Sequence, residues 1–237
     1  MVRTVSPVLC NVLKLMVVVC LVSGLAGCGF SVDRARDGLA ELITPTDVSI
    51  IRHHVRQFHA CLYEFTDRLY AKNPKYEKDP VLRYRKLNAV FNKGPVAEYE
   101  YAYKFSHQVL TAAFQKDVSE TDRVYLLGLG LWKSIKEAYN VRDEGVFLSG
   151  LQISLEQLQR LHHNISQVNW RLKTCRDNKG DLLFLTNEAG ADGYINMGYE
   201  VIMTRILTRI EDDIVMRGGL PEKYVFRMST LFASIVI

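Results

Sequence analysis

Long apolar runs are scarce in this chain of 237 residues. The longest is Leu15 to Val22, and even the looser stretch from Val12 to Ala26 falls short of the roughly 20 residues needed to span a bilayer. The chain after it has no second run of that kind. Low-complexity tracts and fixed-period repeats are also missing, which excludes a solenoid or a long disordered linker. Charge of one sign is not in excess. The formal net charge is +4, and Arg3 and Lys14 supply two of those units, so nucleic acid is not an expected partner.

Signatures of catalysis are missing as well. There is no Gly-x-Ser-x-Gly, no paired-histidine zinc-hydrolase helix, and no phosphate-cradling glycine loop ending in Lys-Ser/Thr. Neither Cys61 nor Cys175 has a Cys-x-x-Cys neighbour. His53, His54, His59, His107, His162 and His163 do not form a Glu-x-x-His pattern. His54 and His59 diverge by about 140° around a helix. These histidines are therefore expected at the surface or its boundary, with no metal and no cofactor. Asp192-Gly193-Tyr194-Ile195 is similar to the middle of an EF-hand loop. Counting from Glu188, however, puts Gly190 and Tyr199 where oxygen ligands are needed, so a plain turn is expected. The carboxylates Glu211-Asp212-Asp213 are accounted for by Arg209, four residues before Asp213.

The N-terminus carries the clearest positive signal. Arg3 and Lys14, with no acid among them, precede the apolar run, and Leu25-Ala26-Gly27-Cys28 closes it. This three-part build is that of a secretory signal, and its end resembles the lipobox of bacterial lipoproteins. The resemblance covers residues 1–28 only. It implies cleavage before Cys28, a palmitate-type lipid on Cys28, and attachment to the cell envelope. Two or more acyl chains would make that attachment stable. Gly29, rather than Asp, follows the lipidated cysteine, which implies the outer membrane and a periplasm-facing body. On this reading 1–27 is the signal, 28–44 the lipidated N-terminus and a short tether, and 45–237 the folded domain.

That compartment permits disulfides. Once Cys10 and Cys20 leave with the signal and Cys28 is acylated, Cys61 and Cys175 are expected to pair. The bridge would close a loop of roughly a hundred residues and stabilise by about 4–5 kcal/mol. The alternative is two separate buried thiols behaving as small apolar residues.

The domain itself reads as all-α, a bundle of six or seven helices with little or no sheet. Val48, Ile51, Val55, Phe58, Leu62, Phe65 and Leu69 recur at steps of three and four, one buried stripe on a long helix that Asn73-Pro74 ends. Asp79-Pro80 is an N-cap followed by proline at the first helical position, opening a helix to about Asn92. A helix from Pro95 to Lys116 follows, with Val96, Tyr99, Tyr103, Leu110 and Ala113 on one face. Ser119 is expected to open the next, whose face is Val124, Leu127, Leu131, Ile135 and Ala138. Gly128 and Gly130 inside it either admit a close neighbour or mark a break. Asp143–Gly150 is a loop. Leu151, Leu155, Leu158, Leu161, Ile165, Val168 and Leu172 define a further helix. Asp177-Asn178-Lys179-Gly180 is a turn, Leu182–Thr186 a strand fragment or packed loop, and Asn187–Gly193 turn-rich chain. A helix from about Asn196 buries Tyr199, Ile202, Ile206, Ile210 and Ile214 and ends at Gly218-Gly219. Pro221 is expected to open a last, greasy helix to Ile237, buried in its own domain or against a partner.

One region stands out for binding. Between residues 66 and 93 lie Arg68, Lys72, Lys75, Lys78, Arg83, Arg85, Lys86 and Lys93, interleaved with Tyr70, Tyr76 and Tyr84, against Asp67, Glu77 and Asp79. Near a membrane such a patch attracts lipid phosphates or an anionic glycan, at about 1 kcal/mol per base. The bland alternative is a solvated connector. The expected function is a membrane-anchored structural or accessory interaction protein with an envelope protein partner. A binding module for an anionic envelope component is the second reading, and an enzyme the third.

Overall fold

The long apolar seam that begins at Val48 forms the longest helix of the structure, a computed structural model that describes residues 46–92, 99–115, 122–141, 153–186 and 198–236. The signal segment, Cys28 and the tether lie outside the described residues, as do Lys93, Ser119, the loop at 143–150, Leu151 and the 187–197 stretch with its Asp192 motif. Among the described residues six helices make the body: α1 (Thr46–Lys72), α2 (Pro80–Phe91), α3 (Ser106–Phe114), α4 (Arg123–Ala138), α5 (Leu155–Thr174) and α6 (Gly198–Met216), with one helical turn at Tyr99–Ala102. Among the described residues the only β pairing is a single bridge between Arg176 and Leu182. The chain from Asp47 onward is one unit. No helix of the described residues is long and apolar enough to cross a membrane.

All seven members of the α1 seam are buried, and so are the five expected on α4 and the five on α6. These stripes meet in one continuous core. Asn73 ends α1 by donating its side-chain amide to the Leu69 carbonyl at 2.8 Å. Asp79 caps α2 by accepting the Val81 N–H at 2.8 Å, with Pro80 at the first position. Ser154 and Gln157 form a capping box at the start of α5. The α6 terminus is a left-handed Gly218 (φ 75°), with the Gly219 N–H returning to the Ile214 carbonyl at 3.0 Å, the usual glycine C-terminal motif.

Gly128 and Gly130 sit in an unbroken α4 and admit close neighbours. A methyl group built on Gly128 would lie 2.8 Å from Thr66 Cγ2, and one on Gly130 would lie 2.8 Å from Leu110 Cδ2 and 3.1 Å from the Leu110 nitrogen. Thus α1 and α3 both approach α4 at glycines.

Three expected elements come out differently. The helix anticipated over 95–116 is broken, because α4 claims the backbone groups it would need. Glu137 accepts the Ser106 N–H at 2.8 Å and the Ser106 hydroxyl, while Gln108 accepts the Phe105 N–H at 3.0 Å. One turn earlier on α4, Lys133 donates to the carbonyls of Tyr101 and Ala102, at 3.3 and 2.7 Å. Tyr103 consequently faces solvent rather than the core. The start of α4 is likewise capped by Asp122, whose carboxylate accepts the Tyr125 N–H at 3.0 Å.

The last helix is the largest departure. From Gly219 to Val236 the backbone is non-helical, with a turn in which the Thr230 N–H returns to the Arg227 carbonyl at 3.0 Å, and only Phe232 and Ile235 of its large apolar side chains are buried. Val225, Thr230, Ile235 and Val236 are β-branched and favour such a backbone. Between Thr230 and Ser234, side chains of α5 meet the carbonyls of Thr230, Ala233 and Ser234 and the Ala233 N–H.

The Cys61–Cys175 bridge is not formed. Each is a buried thiol in its own surroundings. Cys61 lies in the field of Arg209 and Arg205, but burial dominates and pushes its thiol up. Cys175 follows α5, its N–H on the Arg171 carbonyl and its carbonyl accepting the Leu183 N–H.

Candidate functional site

The basic region is drawn partly inward. Lys86 sits between Glu77 and Asp122, with Nζ at 2.9 and 2.8 Å. Burial opposes its charge, but the hydrogen bonds and charges of both carboxylates prevail and raise its pKa. Asp122 also accepts the buried Tyr70 hydroxyl at 2.7 Å. Arg83 spends its Nε–H on the Glu77 carbonyl at 2.7 Å, and Tyr76 donates to the Leu183 carbonyl at 2.6 Å. Lys75 reaches the Leu182 carbonyl at 3.3 Å and lies over the Tyr76 ring. Arg68 pairs with Glu64 one turn earlier, and Lys72 is half-buried. Arg68, Lys75, Lys78 and Arg85 stay exposed, and on α2 Arg85 stands beside exposed Val81, Leu82 and Tyr84, with Lys78 just before the helix. The patch of seven described bases is therefore split. Its inner half is structural, and its outer half mixes cations with exposed apolar side chains.

The α6 carboxylates do not pair with Arg209, whose Nη1 instead donates to the Arg205 carbonyl at 2.8 Å. Asp213 has no solvent exposure. His54 Nδ1 lies 3.0 and 3.1 Å from its two oxygens, and the Tyr139 hydroxyl donates to it at 2.5 Å. Burial first, then the Asp213 charge and hydrogen bond, hold the Tyr139 phenol far above its ordinary range. It stays a donor. Two residues earlier, Glu211 accepts from buried His162 at 2.9 Å. A histidine oriented by a buried carboxylate is half of a general-base arrangement. The His54 ring packs beside His53 and Phe58, and among the described residues no hydroxyl or thiol completes it. These pairs act as cross-links, tying α6 to α1, to the end of α4 and to α5. Among the described residues no group of three or more His, Cys, Asp or Glu is arranged to hold a metal ion.

A third assembly escaped the sequence reading. On α5, Arg160, Asn164, Gln167 and Arg171 follow one another at steps of four, three and four, so they line one face. Each immediately precedes a seam residue: Leu161, Ile165, Val168, Leu172. A polar stripe thus runs beside the apolar one, and this doubled pattern is the signal that would have revealed it. The stripe holds the C-terminal segment by its backbone. Asn164 donates to the Ala233 carbonyl and accepts the Ala233 N–H, both at 2.8 Å. Gln167 and Arg171 both donate to the Thr230 carbonyl at 2.6 Å, and Arg160 donates to the Ser234 carbonyl at 2.8 Å. The Arg171 guanidinium lies over the adjoining rings of Phe114 and Phe232, 5.5 and 4.7 Å from their centroids. Burial lowers its pKa. Further along, Tyr224 and Phe226 pack on His163 and Trp170 of the same helix.

No protein-family model matches this sequence, and neither a curated protein nor a solved structure does.

Proposed function

We propose that this chain is a cell-envelope protein held to a membrane by a lipid on Cys28, and that its helical body serves interaction rather than catalysis. The anchor rests on the lipobox resemblance at Leu25-Ala26-Gly27-Cys28. The role of the body rests on one observation: large apolar side chains project from the non-helical segment after α6. Leu220 is 79%, Val225 91% and Leu231 77% exposed, while Tyr224, Phe226, Phe232 and Ile235 turn toward α5. Scattered apolar residues are ordinary on any surface, but several large ones this exposed within one segment are the kind of feature that marks an interface. The groups with chemical potential, His54, Asp213, Glu211 and Lys86, are occupied in holding helices together.

The experiment is crosslinking of the native protein in its membrane, followed by capture. A stoichiometric protein partner, lost on replacing Leu231 and Val225 with Ser, is the expected result. Capture of no protein above background overturns the interaction reading. Separately, Cys28→Ala is expected to move the protein from the membrane to the soluble fraction with its helices unchanged. Retention after a high-salt wash removes the lipid anchor from the proposal.

A second reading is favoured by the α2 surface, where Val81, Leu82 and Tyr84 stand exposed next to Lys78 and Arg85. An apolar tip among cations suits the interface of an anionic bilayer. Co-sedimentation of the Cys28→Ala protein with anionic but not zwitterionic vesicles, weakened by salt and by Arg85→Glu, is the expected result. Equal binding to both vesicle types discards it.

A further inference from the structure

The outward side of α2 combines charge with exposed apolar side chains on one face. Arg85 lies three residues from Leu82 and four from Val81, so it sits between them on the helix surface. Val81 and Tyr84 are 56% and 60% exposed, and Lys78 is exposed just before the helix. Outside the inner clamp of Glu77, Lys86 and Asp122, the charges of α2 and its approach are Lys78, Arg83 and Arg85 against Asp79. One oxygen of Asp79 is engaged by the Val81 N–H. An apolar tip with a net positive rim is complementary to a sheet of lipid phosphates.

This face is also held in place in advance. Asn73 donates to the Leu185 carbonyl at 2.9 Å and accepts the Leu185 N–H at 2.7 Å, and the Tyr76 hydroxyl donates to the Leu183 carbonyl. Arg83 and Lys86 fasten the first turns of α2 to Glu77. Little ordering is left to oppose binding.

The inner side of α2 packs on α1 and α4. His59 donates to the Phe91 carbonyl at 2.9 Å, and the Phe91 ring lies against Tyr63 and Trp132. The segment that carries Val225 and Leu231 packs instead on α5, through Phe226, and on α3, where Phe232 meets Phe114. The two exposed apolar surfaces are thus carried by different helices. The chain can also bring α2 to the bilayer that holds a lipid on Cys28. α1 has 27 residues and is about 40 Å long, while the chain from Cys28 to Thr46 can reach about 60 Å. A surface too weak to hold a free protein suffices there, because the lipid makes the second contact intramolecular in effect.

We propose that α2 is the face this body turns to its own membrane. Val81 and Leu82 enter the headgroup layer of an anionic bilayer, and Lys78 and Arg85 meet lipid phosphates. The segment carrying Val225 and Leu231 stays in water, open to a protein partner. This rests on the Cys28 anchor and the α2 reading above, and it adds that both act on one bilayer and so fix the orientation of the body.

The test uses the lipidated mature chain reconstituted in vesicles, with a solvent-sensitive fluorophore on Leu82→Cys or on Val225→Cys. Cys61 and Cys175 are buried, so the label goes to the introduced thiol. Flotation reads the anchor, and quenching by aqueous iodide reads the face. In anionic vesicles the Leu82→Cys label is expected to be quenched about three-fold less than the Val225→Cys label, since the interface excludes the quencher. Val81→Cys, on the same face, should repeat that result, and circular dichroism checks that the helices are kept. In zwitterionic vesicles, or with Lys78→Glu and Arg85→Glu together, the protein should still float but the two labels should be quenched alike. Equal quenching in anionic vesicles overturns the proposal, as does protection that survives the charge reversals. If flotation is retained in either case, the anchor stands and only the orientation is discarded. Loss of flotation overturns the proposal through the anchor itself, whatever the Cys28→Ala protein does with anionic vesicles.

Discussion

Gly128 shows how far a single missing methyl group governs this fold. In an exposed helix, Gly→Ala stabilises by up to about 1 kcal/mol. Here the new Cβ would fall 2.8 Å from Thr66 Cγ2 and 2.9 Å from its Oγ1, and Thr66 is itself held by a bond to the Leu62 carbonyl. Gly128→Ala is therefore expected to destabilise by about 1–3 kcal/mol, the usual cost of overpacking, measured by urea unfolding. Thr66→Ala in the same chain should restore most of that loss, and a double-mutant cycle with no coupling would refute the contact. The cysteines make a second residue-scale case. An even pair in an oxidising compartment argued for a bridge, but pairing depends on where two distant helices place their thiols, which no local pattern encodes. Intact mass of the purified body should show no two-hydrogen deficit, and Cys61 and Cys175 should alkylate only after unfolding. A deficit would reinstate the bridge.

At the scale of elements, the stripes of α1, α4, α5 and α6 were legible because burial imposes helical periodicity on the chain directly. The caps of α2 at Asp79 and of α6 at Gly218 were legible because the cap chemistry is local. The break before Ser106 was not, since its cause is Lys133 and Glu137 reaching across from α4. The non-helical segment after Gly219 was missed for a related reason: apolar content forecast burial and hence a helix, whereas the groups that meet its backbone at Thr230, Ala233 and Ser234 belong to α5. Asp122 joins the local and the distant kinds of information, as cap of α4 and as acceptor for Tyr70 and Lys86. Asp122→Ala is expected to cost about 3–5 kcal/mol, because it leaves a half-buried ammonium and a buried phenol short of a partner. Asp122→Asn retains the cap and should cost less. The two are compared by thermal or chemical unfolding, and equal losses would mean that the Asp122 charge, not the cap, carries the whole effect.

For the whole molecule, the described residues form a bundle around one core, with polar clamps at the places where helices from distant parts of the chain meet. The binding region was half legible for the same reason. The bases between 66 and 93 are a property of sequence, but whether Lys86 meets solvent or Asp122 is a property of packing. The clamps also tie stability to pH, and His163 provides the clearest case. Burial beside Tyr224 and Phe226, with the nearby His162 adding to it, outweighs the Leu231 backbone, Glu222 and Gln167, and its pKa falls below the usual imidazole range. The unfolded chain therefore binds a proton at His163 more readily than the folded chain does. Its contribution to stability is complete above the unfolded pKa, near 6.5, and declines as the pH drops through that value toward the lower folded one. His163→Phe retains a ring against Tyr224 and Phe226 but cannot titrate. The unfolding midpoint of the parent chain is thus expected to fall relative to that of His163→Phe between pH 7 and pH 5.5. Because His163 packs on the C-terminal segment, amide exchange at Tyr224–Phe226 should accelerate over the same range before exchange in α1 does. A midpoint difference that is flat with pH would mean that His163 carries no such penalty, and that the segment is held by its α5 hydrogen bonds alone.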